Sequence, residues 1–126
     1  MLMTFRYTQN GLLMLLDRNR RIKSHPQRFQ DSLATYDIII TCEERCFDLV
    51  CEELSHRPIT LNRPVHIINF DIKDNPDDAT VGARAILVLA QQLAETGDLD
   101  AEIGPILDEF VTTKATHPIM YSVHLY

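Results

Sequence analysis

Apolar side chains recur at Leu12, Leu15 and Leu16 on one face, and this spacing predicts a helix from about Gln9 to Arg21, closed by Ser24, His25 and Pro26. The pattern then changes. Consecutive isoleucines in Tyr36-Asp37-Ile38-Ile39-Ile40-Thr41 predict a strand covered on both faces, as in a parallel sheet. From Glu43 to His56 the period returns to a helical one, with Phe47, Val50, Cys51 and Leu54 at i, i+3, i+4 and i+7 and acids elsewhere. Pro58 to Pro64 reads as a loop, and Val65-His66-Ile67-Ile68-Asn69-Phe70 as a second buried strand that runs into the acidic stretch Asp71 to Asp78.

A long helix should follow, with Asn75 as N-cap, Pro76 at the first helical position, and Asp77 and Asp78 against the positive end of the dipole. Its core face is Ala85, Ile86, Leu89 and Leu93. Ile103, Ile106, Leu107, Phe110 and Val111 signal another helix, with Gly104-Pro105, a poor choice for a helix interior, as one candidate for its start and the boundary left open. Ile119, Tyr121, Val123 and Leu125 alternate, which predicts a strand at or near a sheet edge over Ile119 to Tyr126. Alternating strands and helices imply an α/β fold with a doubly wound parallel sheet. Ligands bind such sheets beyond the carboxyl ends of the strands, where Asp71 to Asn75 would lie.

No repeat, low-complexity tract or long linker divides the 126 residues, so one domain over 1–126 is expected. A net charge of −6 argues against charge-driven binding to nucleic acid or anionic membranes. The basic cluster Arg18, Arg20, Arg21 and Lys23 is read as the cationic last turn of the first helix. Three unpaired-looking cysteines, Cys42, Cys46 and Cys51, suggest a reducing compartment, and no apolar run reaches signal-peptide or membrane length; a soluble, intracellular protein is expected.

Among candidate chemical groups, Asp74 leaves a buried strand for a cleft and could serve as a general acid, whereas Asp77 and Asp78 are read as helix-capping acids. Cys51 to Arg57 has Cys-x5-Arg spacing, but it falls on a helix core face with Glu52 and Glu53 between, where a phosphate dianion would be repelled. It is read as a coincidence. Cys42, Cys46 and His56 lack the paired short spacing of a metal site, so no metal and no cofactor are expected. His66, within an apolar strand, is read as a satisfied core histidine. A receiver domain would need three separated strand-end aspartates and a lysine, and this pattern is not found.

The blocks Tyr7-Thr8-Gln9-Asn10-Gly11, Leu16 to Lys23, Thr41-Cys42-Glu43-Glu44-Arg45, Val65 to Asn69, Asp71-Ile72-Lys73-Asp74-Asn75, Ala79-Thr80 and the closing aromatic strand resemble the cis-proline-selective RNA polymerase II C-terminal-domain phosphatases. The resemblance spans Tyr7 to Tyr126. It implies a fold similar to the low-molecular-weight tyrosine phosphatases and a cysteine-dependent protein-serine phosphatase (a hydrolase) of transcription and messenger RNA 3′-end processing, nuclear with cytoplasmic presence left open. The family's general acid maps onto Asp74, and substrate-facing roles onto Tyr7 and Leu15. Ser122, Leu125 and Tyr126 resemble the surface that docks the scaffold symplekin. The implied partners are the phosphorylated polymerase tail, symplekin and cleavage and polyadenylation factors.

The family opens with a strand and a Cys-x5-Arg-Ser loop that have no counterpart here, so the chain is expected to be an N-terminally truncated, incomplete phosphatase-like domain without its nucleophile, inactive alone. The alternative is a non-catalytic fragment that binds scaffold or phosphopeptide. Without the first strand, the edge of Tyr36 to Thr41 should lie open, inviting aggregation and weakening cooperative melting.

Overall fold

The computed structural model describes residues 11–126, and the chain divides after Leu33 into two compact units. In the first unit Gly11 adopts a left-handed backbone (φ 72°), which glycine tolerates without penalty, and α1 (Leu12–Ile22) begins immediately after it. The expected start at Gln9 lies outside the described residues. Arg20 and Arg21 occupy the last turn, as the dipole argument requires, and both reach back to Asp17 at 2.6 and 2.8 Å. No residue of α1 is buried, and a single 3-10 turn follows at Phe29–Asp31.

The second unit, residues 34–126, contains β1 (Ile38–Thr41), α2 (Glu44–His56), β2 (Pro64–Phe70), α3 (Pro76–Ala94), α4 (Leu99–Thr113) and β3 (Ile119–Leu125). β1 is two residues shorter than expected. The Tyr36 amide turns away to donate to the hydroxyl of Tyr126 at 2.8 Å, and the Asp37 carboxylate accepts from Arg63 at 2.6 Å.

The sheet order is β1-β2-β3. β1 and β2 are parallel, joined by the α2 crossover, as the α/β pattern predicts. β3, however, runs antiparallel to β2, so the sheet is mixed rather than wholly parallel. The reason lies in the connection. Two helices, not one, separate the strands: α3 carries the chain away from the end of β2 and α4 brings it back, so β3 starts beside the residue where β2 stopped, with Ile119 opposite Phe70. The Asp71 amide donating to the carbonyl of Pro118 at 3.0 Å closes that junction.

Alternation along β2 divides the core. Ile68 and Phe70 pack with Ala85, Leu89 and Leu93 of α3 and Ile103, Leu107 and Phe110 of α4. Phe47, Val50 and Leu54 of α2 are also buried, and α2 packs against all three strands. In β1 the expected two-sided cover is incomplete: Ile38, Ile39 and Ile40 are only half-buried, because β1 is an edge strand among the described residues.

The start of α4 departs from expectation. Asp98, not Gly104-Pro105, opens it: the Asp98 carboxylate accepts from the Ala101 amide at 3.3 Å, and Glu102 accepts from the Asp98 amide at 2.7 Å. Pro105 then sits inside the helix on its exposed side, where water can satisfy the carbonyl that loses its partner. β3 holds a second departure. Tyr121, Val123 and Leu125 do share one face, but it remains 39%, 49% and 36% exposed, while Ser122 and His124 are the half-covered side chains.

Candidate active site

The carboxyl ends of β1 and β2 bring two polar side chains together. Thr41 and Asn69, register partners, are both buried, and the Thr41 hydroxyl donates to Asn69 Oδ1 at 2.7 Å. The Nδ2 of Asn69 has no partner among the described residues although Asn69 is fully buried, and an unpaired buried donor costs about 1–3 kcal/mol. Beyond Asn69 the chain passes through Phe70 into the segment 71–75.

That segment is irregular but held at many points. The Asp71 amide donates to Pro118, and the Ile72 amide to the carbonyl of Cys42 at 3.1 Å, which ties the segment to the ends of both flanking strands. Ile72 lies directly over Gly82, where a Cβ would collide with it. The Lys73 amide donates to the carboxylate of Asp78 at 2.6 Å, and the Asn75 amide to the carbonyl of Lys73 at 2.9 Å. Asn75 caps α3 as expected, its side chain accepting from the Asp78 amide at 2.8 Å, with Pro76 at the first helical position.

Asp78 therefore does more than face the dipole. Its second oxygen lies 2.8 Å from Nε2 of His117, whose side chain is only 6% exposed, so one carboxylate joins the segment, the start of α3 and the entry to β3. The Lys73 amide first, then the hydrogen bond from His117, hold the Asp78 carboxyl below the usual carboxylate range. A depressed native value contributes stability above the ordinary carboxyl pKa, and that contribution is lost as pH falls through the native value. Asp78→Asn is thus expected to flatten the fall in melting temperature below about pH 4; an unchanged acid limb in melts taken from pH 5 to pH 2 would count against this anchoring.

Asp74 stands at the crest of this pinned segment, exposed to solvent and without a side-chain partner among the described residues. Fixed backbone and a free carboxylate are what a proton donor to an incoming ligand requires. The thiols are less suited to attack. Cys42, at the end of β1, has its pKa raised by partial burial of the sulfur and then by Cys46 and Glu43, and Cys51, part-buried on α2, is raised chiefly by burial. Both shifts oppose thiolate formation at neutral pH.

The remaining sequence-predicted residues fall elsewhere. Tyr7 lies outside the described residues, and Leu15 is half-exposed on α1 in the first unit. Ser122 is half-buried in β3 beside His124, at 3.1 Å, and Leu125 is exposed. Tyr126 is 8% exposed and acts as an internal tie, its carbonyl accepting from the amides of Leu61 and Asn62 at 3.1 and 2.9 Å. His66 is satisfied at both ring nitrogens, with the Tyr121 hydroxyl and the Asp100 carboxylate each 2.7 Å away. No group of three or more His, Cys, Asp or Glu side chains among the described residues could hold a metal ion.

Sequence reasoning missed His117 and the contact of Ile72 with Gly82. The Asp78 role had a signal, since an acid three residues after an N-cap commonly reaches back to an amide before the helix. His117, 39 residues further on, had none.

Comparison with known proteins places this geometry. The family model described as Ssu72-like protein matches residues 4–126. The RNA polymerase II C-terminal domain phosphatase ssu72 of Schizosaccharomyces pombe is 51% identical over 121 residues, which is 95% of this chain and 61% of the relative. The SSU72 phosphatases of Danio rerio and Homo sapiens are 48% and 45% identical, again over 95% of this chain and 61% of their own. A crystal structure of Drosophila melanogaster Ssu72 with Symplekin, bound to a cis peptidomimetic phosphoserine CTD peptide, superposes with a TM-score of 0.91 at 44% identity, covering 98% of this chain and 64% of that one. A second Drosophila melanogaster structure, of the serine phosphatase of the polymerase CTD, gives a TM-score of 0.89 at 46% identity, over 95% and 63% of the two chains. The chain spans about three fifths of the length of these curated relatives. With the family model matched over residues 4–126 and relatives about half identical along nearly the whole chain, the chain belongs to the Ssu72-like family.

Proposed function

We propose that these residues form the acid-bearing and partner-facing part of a protein-serine phosphatase that acts on the phosphorylated C-terminal domain of RNA polymerase II in the nucleus, within transcription and messenger RNA 3′-end processing. The observation that carries this reading is the segment 71–75, anchored by Asp78, Ile72 and the Cys42 carbonyl while the Asp74 carboxylate stays free. In this reading Asp74 protonates the departing serine oxygen and then takes a proton from the attacking water. The nucleophile is a thiolate cradled by backbone amides in a Cys-x5-Arg-Ser loop, which none of the three cysteines here occupies. The unpaired Nδ2 of Asn69 supports this, because a neighbouring loop carbonyl at the strand ends would satisfy it. Family likeness gives Tyr7 and Leu15 substrate-facing roles toward the tail, and the exposed face of β3 around Leu125, with Ser122 and Tyr126 behind it, is the surface for symplekin.

The test is phosphate release from a polymerase-tail peptide phosphorylated on a serine before proline. The 126-residue chain is expected to release none. With a Cys-x5-Arg-Ser segment of the family joined ahead of it, turnover is expected, and Asp74→Asn should then lower kcat by about 10²–10⁴-fold. Turnover by the chain itself, with phosphocysteine formed at Cys42, Cys46 or Cys51, would overturn the assignment of the nucleophile. Capture of symplekin or phosphopeptide without turnover even in the joined protein would favour a purely binding role.

A further inference from the structure

Away from the strand ends, a groove of about 310 Å³ opens between α3 and the end of α4, lined by Val81, Arg84, Ala85, Val88, Phe110, Lys114 and Thr116. Its floor is apolar. Ala85 and Phe110 belong to the core, while Val81 and Val88, on the outer side of α3, are 44% and 41% exposed. Two valines about two helical turns apart, left facing water beside a core phenylalanine, form a contiguous apolar strip rather than scattered surface residues.

The rim carries charge of one sign. Arg84 and Lys114 flank the strip, no acid lines it, and neither cation has an ion pair or side-chain hydrogen bond among the described residues. In a chain of net charge −6, Arg20, Arg21, Arg28, Arg57 and Arg63 pair with carboxylates, whereas Arg84 and Lys114 keep their charge available along this strip. The Thr116 hydroxyl is already engaged with Nδ1 of His117 at 2.8 Å, so the polar contribution of the groove is cationic.

We propose that this groove docks an acidic peptide segment of a partner protein, which inserts one bulky apolar side chain between Val81, Val88 and Phe110 and sets carboxylates against Arg84 and Lys114. A small ligand is disfavoured because such molecules need a site that buries most of their surface, and Val81 and Val88 leave this one open along α3. A peptide brings its own flanking surface. An apolar anchor surrounded by charge-complementary contacts is the usual division of labour in such docking, the anchor supplying affinity and the charges orientation and rate. The site is independent of the reaction assigned to Asp74.

The probe is a fluorescein-labelled peptide, Asp-Glu-Leu-Phe-Glu-Glu, followed by polarisation against the whole chain. Saturable binding is expected, at least ~10-fold tighter than for the amide counterpart Asn-Gln-Leu-Phe-Gln-Gln, and weakening as salt rises. Arg84→Glu with Lys114→Glu should abolish it and confer binding of the reversed peptide Lys-Lys-Leu-Phe-Lys-Lys. That gain cannot arise from misfolding. Val88→Asp should weaken the acidic peptide by a similar factor. Equal binding of the acidic and amide peptides, or an acidic-peptide affinity unchanged in the double variant, would overturn the proposal. So would absence of peptide binding alongside sedimentation with vesicles of phosphatidylcholine and phosphatidylserine, which would point to a lipid surface instead.

Discussion

Phe110→Ala is expected to lower the stability of the unit 34–126 by about 3–5 kcal/mol, read as a fall in the urea midpoint at unchanged slope. Phe110 is 1% exposed and meets Phe70 edge-on, with ring centroids 6.2 Å apart and planes at 78°. The loss combines three effects: transfer of the ring from water, the void left between α4 and the sheet, and the edge-to-face contact, itself worth about 0.5–1.5 kcal/mol. Domains of this kind hold only about 5–15 kcal/mol in total, so the variant should be partly unfolded at room temperature. Phe110→Leu keeps most of the volume and should cost less than half as much. A Phe110→Ala variant that loses under about 1 kcal/mol would show that α4 is not an integral wall of the core.

Gly82→Ala is expected to cost about 1–3 kcal/mol and to shift the segment 71–75. The new methyl would overlap Ile72 Cδ1 and lie 2.7 Å from its Cγ1, so either Ile72 leaves its seat or α3 backs away from the sheet. Both responses move the backbone that carries Asp74. The collision is pairwise, which gives it a distinctive signature. In Gly82→Ala with Ile72→Ala the clash is gone, and the double variant should be more stable than the sum of the single losses by at least ~1 kcal/mol. Strict additivity would mean that Ile72 is not the obstacle. Under the proposal that Asp74 is the proton donor, Gly82→Ala in the joined protein should lower kcat, because small displacements of such a group have large kinetic effects.

The elements legible in the sequence were those whose signal is local. β2 announced itself through six consecutive, largely apolar residues, and α2 through Phe47, Val50 and Leu54 at helical spacing, because each pattern records a face that must be buried. The cap of α3 was equally plain, since Asn75 and Pro76 satisfy requirements set within one turn. The direction of β3 was not legible: alternation fixes which side chains share a face, not which way a strand runs or which face is covered. Pro105 misled because its cost depends on exposure, and an exposed carbonyl can turn to water.

The same distinction applies to the candidate site. Asp74 is read as a candidate from its place between a buried strand and a helix, and from family likeness. What holds its segment could not, because the His117 contact with Asp78 and the Ile72 contact with Gly82 join residues from separate elements.

The position of β2 between a parallel and an antiparallel neighbour sets a hierarchy of deuterium uptake. Its amides bond alternately to β1 and to β3, so none is released until one ladder or the other parts, and Ile67 and Ile68 should exchange only through global opening. Amides of β1 that point away from β2 have no such guard among the described residues, and should take up label first.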